Sequence, residues 1–480
     1  MTDLLRRIRN GLVRRQYARI NRYFRTASPE QIRRSGDRRA LKAFHRAARL
    51  VPAYQKILRE HGVDPGEITT IEQFRRRVPI VDKQALFAAY PLRDLCVGGR
   101  LDDAFRFHSS SGHTGVFSFG VEGRDDAAKT ALGLEFTLHD RFAVLDRHTL
   151  LINCLPMGVT IPTRVVPAAA TSVRPDVVLA LVEQLKDDFE QILLIGEHLV
   201  LKKVIEEGAE RGIGWEDLVV HAVTGAEFIA EGFRTYLAGL LGLDFDRPQR
   251  GLVLVNFGLS ELSLNIFSET AETVGIRRLA YEDAGFREAL YGRPTTICPN
   301  LMQCYPGQTF LETVEGPAGR SELVVTMLDP GLKAPMVRYN TKDFVELLSY
   351  RKLAEVLGDF GHASRLPAAR LPLGVIWGKW APLPATAPQA VYPEQVKEAL
   401  YVSPEVAGKV TGNFRLGEEN GQIVLKVQLR QGEQPRPALT ELLTAALKRF
   451  AQADVQVRFL PFRQFPFGFA ADFGRKNQYF

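Results

Sequence analysis

Gln191-Ile192-Leu193-Leu194-Ile195 is a short apolar run standing between two stretches of helical spacing, and its surroundings decide the fold class. Before it, Val177–Phe189 reads as a helix. After it, Glu197–Glu210 is an amphipathic helix ended by Gly212. The alternation continues with a strand over Leu218–Val223, a Thr224-Gly225 turn, a helix over Ala230–Leu241 ended by Gly242, and a strand over Leu252–Asn256. Strands separated by helices of this length form parallel βαβ units, with helices covering both faces of the sheet. Ligands of such sheets bind beyond the carboxyl ends of the strands, which directs attention to the segments after Val223 and Asn256.

The texture changes further along. Glu322–Met327 and Phe344–Leu348 read as antiparallel partners, and residues 381–388 form a Pro-rich linker that no helix interior accommodates. Beyond it come a helix over Glu394–Leu400, a strand over Gln422–Leu429, a helix over Ala438–Ala451 and a strand over Val455–Phe459. The expected architecture is α/β: a large multi-sheet N-terminal domain with parallel βαβ units over residues 1–376, and a small mobile α+β domain over 377–480.

The 480-residue chain is 45% hydrophobic and 24% charged, which suits a globular protein with a large core. It holds no apolar run of transmembrane length, so no integral membrane association is expected. Four cysteines (Cys96, Cys154, Cys298, Cys304) make no disulfide framework and have no zinc spacing, which points to free thiols in a cytoplasmic setting.

The net charge of +7 is unevenly distributed. Residues 1–50 hold fifteen Lys/Arg against three Asp/Glu, a surplus of twelve, so the remaining residues carry −5. This basic arm, expected to be helical over 1–48, has two apolar stripes. Leu4, Leu5, Ile8 and Leu12 form one; Val13, Tyr17, Ile20 and Phe24 form the other, rotated as if the helix broke near Gly11 or packed on two sides. The leading expectation is a helical arm packed on the body with its arginines solvated; an outward surface for an acidic partner or anionic lipid is the alternative. The Arg-rich, acid-poor composition also fits a transit peptide. A nucleic-acid partner is not expected, because no recognised module accompanies the arm; a homodimer is left open.

Chemistry concentrates in three places. Ser110-Ser111-Gly112-His113-Thr114-Gly115, following the β-prone Ala104–Phe107, is a loop whose hydroxyls and backbone N–H groups suit phosphate oxygens. The strand Leu252–Asn256 runs into Phe257-Gly258-Leu259-Ser260-Glu261, which offers an aromatic face, close approach at a glycine, a hydroxyl and a carboxylate. The strand Leu218–Val223 runs into Thr224-Gly225-Ala226-Glu227. Further on, Pro335–Asp343 ends in an acid suited to ribose hydroxyls. His221 is expected to be structural.

With these motifs in order, the chain resembles the adenylate-forming (acyl-CoA synthetase-like, AMP-binding) superfamily, and within it the phenylacetate–CoA ligase and capsule-biosynthesis branch. Val51–Tyr54, Gly62–Pro65, Val78–Lys83 and Tyr90–Leu92 match the opening of that branch in order and spacing. Ser110–Gly115 resembles its SSGTTG loop, Phe257–Glu261 its YGLTE segment, Ser321–Thr326 its GELVVT strand, and Pro335–Asp343 its PLIRYRTGD. The resemblance implies ATP-dependent activation of a carboxylic acid as acyl-adenylate with pyrophosphate release, then transfer to coenzyme A or another nucleophile (an amine or a protein thiol).

It also implies roles for individual residues. Ser110–Gly115 would cover the β- and γ-phosphates, Phe257 with Gly258 would lie against adenine, and Ser260 would touch the α-phosphate. Glu261 would hold Mg²⁺, and Asp343, within a motif that includes Arg338, would bind ribose. Gly225, Ala226 and Glu227 would line the adenine and acyl pocket, with further pocket residues from Cys154–Thr160. The hinge motif becomes Gly378-Lys379-Trp380-Ala381-Pro382, with Lys379 replacing an arginine and no hinge Asp. The TGD glycine becomes Lys342. Lys476 is assigned as the catalytic lysine, with Arg475 as its neighbour alternative. A member that has lost catalysis and serves as a binding or scaffold subunit is the competing reading.

Overall fold

The structure is a computed structural model and describes residues 2–109, 116–156, 159–225, 227–262, 264–379, 382–383, 390–466 and 479. Its strands are β1 (Ala104–Ser109), β2 (Phe119–Gly123), β3 (Thr149–Cys154), β4 (Ala168–Ala170), β5 (Gln191–Gly196), β6 (Val220–Gly225), β7 (Gly251–Leu259), β8 (Leu264–Ser268), β9 (Asn300–Cys304), β10 (Thr309–Glu315), β11 (Ser321–Met327), β12 (Tyr339–Leu348), β13 (Leu373–Gly378), β14 (Val410–Glu419), β15 (Gln422–Leu429) and β16 (Val455–Leu460).

One sheet of eleven strands, in the order β10-β11-β12-β13-β9-β8-β7-β6-β5-β3-β4, dominates the large region. Strands β4, β3, β5, β6 and β7 are parallel. From β7 through β8, β9, β13, β12, β11 and β10 every pairing is antiparallel. The expected βαβ units are present, with helices Pro175–Leu185, His198–Glu210 and Glu231–Leu240 as the crossovers. Strand β3 is buried along its whole length because both faces are covered. Leu150, Ile152 and Cys154 enter one core, and the alternate Leu151 enters the other with Leu193, Leu252 and Leu254. The two-residue period of a strand is what feeds both cores. A separate hairpin of β1 and β2 stands apart from this sheet.

The C-terminal region is a small α+β unit in which β14 pairs antiparallel and β16 parallel with β15, the latter through helix Pro437–Ala451. Strand β14 escaped the sequence reading because Gly412 and Gly417 interrupt its apolar pattern. Gly412 has φ +98°, and a Cβ there would meet Leu199 and Tyr401 at 2.5 Å. The hydrophobic core runs without a break from the large region into this unit, and Tyr401 packs edge-on to Phe233 at 5.0 Å. Of the Pro-rich linker, only Pro382 and Leu383 are among the described residues.

The arm departs from expectation. Helices α1 (Thr2–Thr26) and α2 (Pro29–Leu50) meet at Ala27 and Ser28, where Ser28 and Gln31 form a reciprocal capping box. The helix does not break at Gly11, because an open position with no neighbour tolerates glycine at a cost of about 1 kcal/mol. It also packs on one side only. Val13 and Phe24 are buried, whereas Ile8 and Leu12 of the first stripe are 53% and 58% exposed.

No helix among the described residues is long and apolar enough to cross a membrane, and all four cysteines are free and buried.

Candidate active site

Strands β6 and β7 end side by side. Gly225 is paired with Asn256, and a Cβ on Gly225 would fall 2.5 Å from the Asn256 carbonyl oxygen. Only glycine lets the two strand ends approach this closely. Beyond Asn256 the chain carries Phe257, half-buried against Phe267 at 6.0 Å, then exposed Gly258, and turns through a short 3₁₀ segment, Ser260–Leu262. Ser260 is exposed and Glu261 is buried. Both strands of the β1–β2 hairpin pack on this turn. Residues 110–115 connect those strands and lie outside the described residues, as do Ala226, Met157, Gly158, Arg475 and Lys476.

The hairpin is tied down by Glu122. Burial would raise its carboxyl, but His108 at 3.2 Å, Thr130 at 3.0 Å and Arg106 at 3.4 Å more than offset that and hold it below its ordinary value.

The Tyr339 hydroxyl donates to Glu261 Oε1 at 3.0 Å. Burial first, and the Glu261 carboxylate second, push the Tyr339 phenol far above its ordinary range, so it stays a donor. Asp343, four residues along β12 and also buried, pairs with Lys379 Nζ at 2.6 Å. Strand pairing of Phe344 with Gly378 sets Lys379 beside Asp343. Lys379 itself is half-exposed, so the pair stays open to water. The segment Val78–Lys83 completes the rim: Val81 exchanges backbone hydrogen bonds with Arg338 and Asn340, which brings Asp82 close to Lys342 at 3.9 Å. Glu261, Tyr339, Asp343 and Lys379 thus form one group at the strand ends.

Lys342 occupies the glycine position of the motif at φ +60°, a left-handed conformation strained for a side chain with a Cβ. Its N–H donates to Asn340 Oδ1 at 2.9 Å, and its ammonium lies 3.2 Å from Glu322. Those bonds hold the turn that a glycine would adopt freely.

Two expected binding residues sit elsewhere. Arg338 is turned away from the group: its guanidinium binds both oxygens of Glu312 at 3.2–3.3 Å and donates to the carbonyls of Phe74 and Val78, stacking over the Phe74 ring. It fastens helix Ile71–Arg77 to β10. Arg338 precedes β12 with a left-handed φ of +48°, and this backbone turn, not the extended strand, sets its side chain toward β10. Glu227 leaves β6 toward the C-terminal unit. Lys397 Nζ and the Tyr479 hydroxyl both reach Glu227 Oε2 at 2.6 Å, and His198 Nδ1 lies 3.4 Å from its other oxygen. Burial would raise this carboxyl, but Lys397 and His198 overcome it and hold it at about 2. Glu197, His198 and Glu227 converge within 4.8 Å, yet Glu197 Oε2 is engaged in capping helix His198–Glu210 and Glu227 is engaged by Lys397. This cluster joins two regions of the chain. His221 is a core residue on β6, packed 4.8 Å from Phe142 and held neutral by burial, which takes it down to about 3.

Sequence reading passed over Tyr339, Asp82 and Lys397. Tyr339 stands within Pro335–Asp343 and Asp82 within Val78–Lys83, which were the signals available; nothing local marks Lys397.

The chain has the fold of solved acyl-CoA ligases. It superposes on 2-hydroxyisobutyryl-CoA ligase in the postadenylation state in complex with R3-HIB-AMP with a TM-score of 0.67 and 14% identity, covering 92% of this chain and 88% of that one. The same ligase with 2-HIB-AMP gives 0.67 and 15%, over 92% and 88%. In its thioesterification state, with 2-HIB-AMP and CoA, the score is 0.55 and the identity 15%, over 94% and 90%. At such identities the likeness is one of fold. No family model matches the chain, and no curated protein matches it in sequence.

Proposed function

We propose that this protein uses ATP to activate a carboxylic acid as acyl-adenylate, releasing pyrophosphate, and passes the acyl group to coenzyme A or another nucleophile. The observation that carries the reading is the Glu261–Tyr339 contact beside Asp343–Lys379, at the strand ends of this fold and under the hairpin that bears Ser110–Gly115. Within the superfamily, the phenylacetate–CoA ligase and capsule-biosynthesis branch fits the motif order best.

A free carboxylate is a poor electrophile because its leaving group would be oxide. Attack of its oxygen on the α-phosphorus of ATP forms the acyl–phosphate bond and breaks the bond to pyrophosphate, leaving AMP as a good leaving group. The protein must hold the carboxylate in line and balance phosphate charge. Glu261 suits a divalent cation: one oxygen is fixed by Tyr339, and no ion pair to Glu261 occurs among the described residues. Mg²⁺ there would offset triphosphate charge. Asp343 would accept from ribose hydroxyls, with Lys379 orienting it. Phe257 would offer its ring to adenine, and Ser260 its hydroxyl to the α-phosphate. Lys476 would serve the reacting carboxylate.

Transfer to the acceptor by rotation of a domain over 377–480 would have to break the Lys397–Glu227 pair and the continuous core. That cost is the reason the acceptor step is kept open to an amine or a protein thiol.

Incubation with ATP, Mg²⁺ and a panel of acids should release pyrophosphate. Glu261→Gln, which keeps an acceptor for the Tyr339 hydroxyl but loses the charge, should lower that rate by about 10²–10³-fold with little change in unfolding midpoint. No release with any acid, together with no ATP binding, would replace this reading with that of a binding subunit.

A further inference from the structure

Helix α1 is fastened to the body by one face. Tyr17 packs on Phe136 at 5.2 Å and on His139 at 4.6 Å, and its hydroxyl donates to Asp140 at 3.0 Å. Phe24 meets Tyr305 at 5.8 Å, and its carbonyl accepts from the Arg370 N–H at 3.0 Å. Arg14 reaches back to Asp146 and the Leu145 carbonyl. The opposite face is therefore held in a fixed direction, outward.

That face has a definite composition. On a helix of 3.6 residues per turn, Ile8, Leu12, Arg15, Arg19, Arg22 and Tyr23 fall within an arc of about 100°. Ile8 is 53% exposed, Leu12 58% and Tyr23 43%, and the three arginines are exposed as well. Among the described residues none of these three arginines has an ion pair, and from Ile8 to Thr26 the sequence contains no acidic residue. Arg15, Arg19, Arg22 and Tyr23 line a shallow groove of about 390 Å³ along the helix. The rest of the chain beyond residue 50 carries −5, so an anionic surface would attract the arm and repel the body.

We propose that α1 is a peripheral docking helix for an anionic lipid surface. It would lie in the headgroup plane, with Ile8 and Leu12 inserted between acyl chains and Arg15, Arg19 and Arg22 on lipid phosphates. The two adjacent apolar side chains favour a lipid bilayer over a nucleic acid or an acidic protein, because a purely ionic partner has no use for them. Tyr23, with an apolar ring and a polar tip, suits the same boundary. The opposite side of the helix packs on Arg124–Phe142, so docking would present that flank of the sheet to the membrane.

The test is flotation of the full chain with vesicles, either phosphatidylcholine alone or phosphatidylcholine with phosphatidylglycerol. Binding to the anionic vesicles only, released by high salt, is the expected result. The Arg15→Gln/Arg19→Gln/Arg22→Gln variant should bind them at least about tenfold more weakly. Ile8→Ser/Leu12→Ser should also weaken binding, while thermal unfolding of both variants stays at the wild-type midpoint. Absence of binding to anionic vesicles, or undiminished binding by the arginine variant, would overturn the proposal. So would undiminished binding by the Ile8/Leu12 variant, which would reassign the face to a soluble polyanion. None of these outcomes depends on whether the chain adenylates an acid.

Discussion

Two of the groups of acids and bases among the described residues are built differently. At the strand ends, Glu261 has one hydroxyl donor and Asp343 one half-exposed lysine. Beneath helices Glu231–Leu240 and Pro393–Val402, by contrast, Glu231, Arg234, Glu269, Arg277 and Glu398 are all fully buried. There Arg234 binds Glu231 at 3.1 Å and Glu269 at 2.7 Å, and Arg277 binds Glu231 at 3.0 Å and the carbonyls of Ile229 and Cys298 at 2.6–2.7 Å. The first group keeps valence for a ligand; the second has nearly spent it on itself. Buried charge of the second kind holds elements in one arrangement, and here it links helices Glu231–Leu240 and Ala271–Glu282 to helix Pro393–Val402 of the C-terminal unit.

The contrast can be broken at either end. The largest effect expected is from Arg277→Ala, which takes from Glu231 one of its two close arginines and from the Cys298 and Ile229 carbonyls a buried donor. It should cost about 3–5 kcal/mol of stability, read as a lower urea midpoint. A midpoint unchanged from wild type would show that the network carries no such load.

Glu398 gives the next effect. Burial raises its carboxyl to about 7, with Arg277 opposing. In the unfolded chain an ordinary glutamate ionises near its usual value, so below that pH both states hold the proton and nothing is lost. As pH rises from about 4.5 to about 7 the unfolded chain releases the proton first, and stability falls by up to ~3 kcal/mol. Glu398→Gln should remove that fall, so that urea midpoints of variant and wild type diverge with rising pH and run parallel above about 7. Parallel curves throughout would refute the assignment.

The smallest effect is expected at the rim. Tyr339→Phe removes one hydrogen bond to Glu261 and should lower pyrophosphate release by roughly tenfold. The loss should be partly recovered at raised Mg²⁺, with little change in unfolding midpoint. An equal loss of stability would place Tyr339 with the structural group instead.

Much of this was legible locally. The parallel strands from Gln191 to Asn256 were readable because each is a short apolar run between helix signals, whereas Thr224-Gly225, read as a turn, belongs to the end of β6, where Gly225 lies close against Asn256. Gln422–Leu429 has the same bounds in sequence and structure. The sequence reading assigned Phe257, Gly258, Ser260, Glu261 and Asp343 from their motifs; in the structure Phe257 and Gly258 lie at the end of β7, Ser260 and Glu261 in the turn after it, and Asp343 within β12. Arg338 was assigned to nucleotide binding, whereas its left-handed backbone ahead of β12 and its pairing with Glu312 turn it to β10, and Glu227 was assigned to the pocket, whereas Lys397, 170 residues away, pairs with it. The arm was misread at Gly11 because spacing alone does not say which apolar stripe finds a partner.

The sequence by itself determined the periodicities, and with them the α/β class, the strand ends at which chemistry collects and the basic excess of the arm. Tertiary structure alone decided which acids are spent on buried arginines, which face of α1 points outward, and that Tyr339 meets Glu261 while Arg338 meets Glu312. The reason is physical: periodicity is a property of neighbours along the chain, whereas the pairing of a charge depends on groups that only folding brings within 3–4 Å.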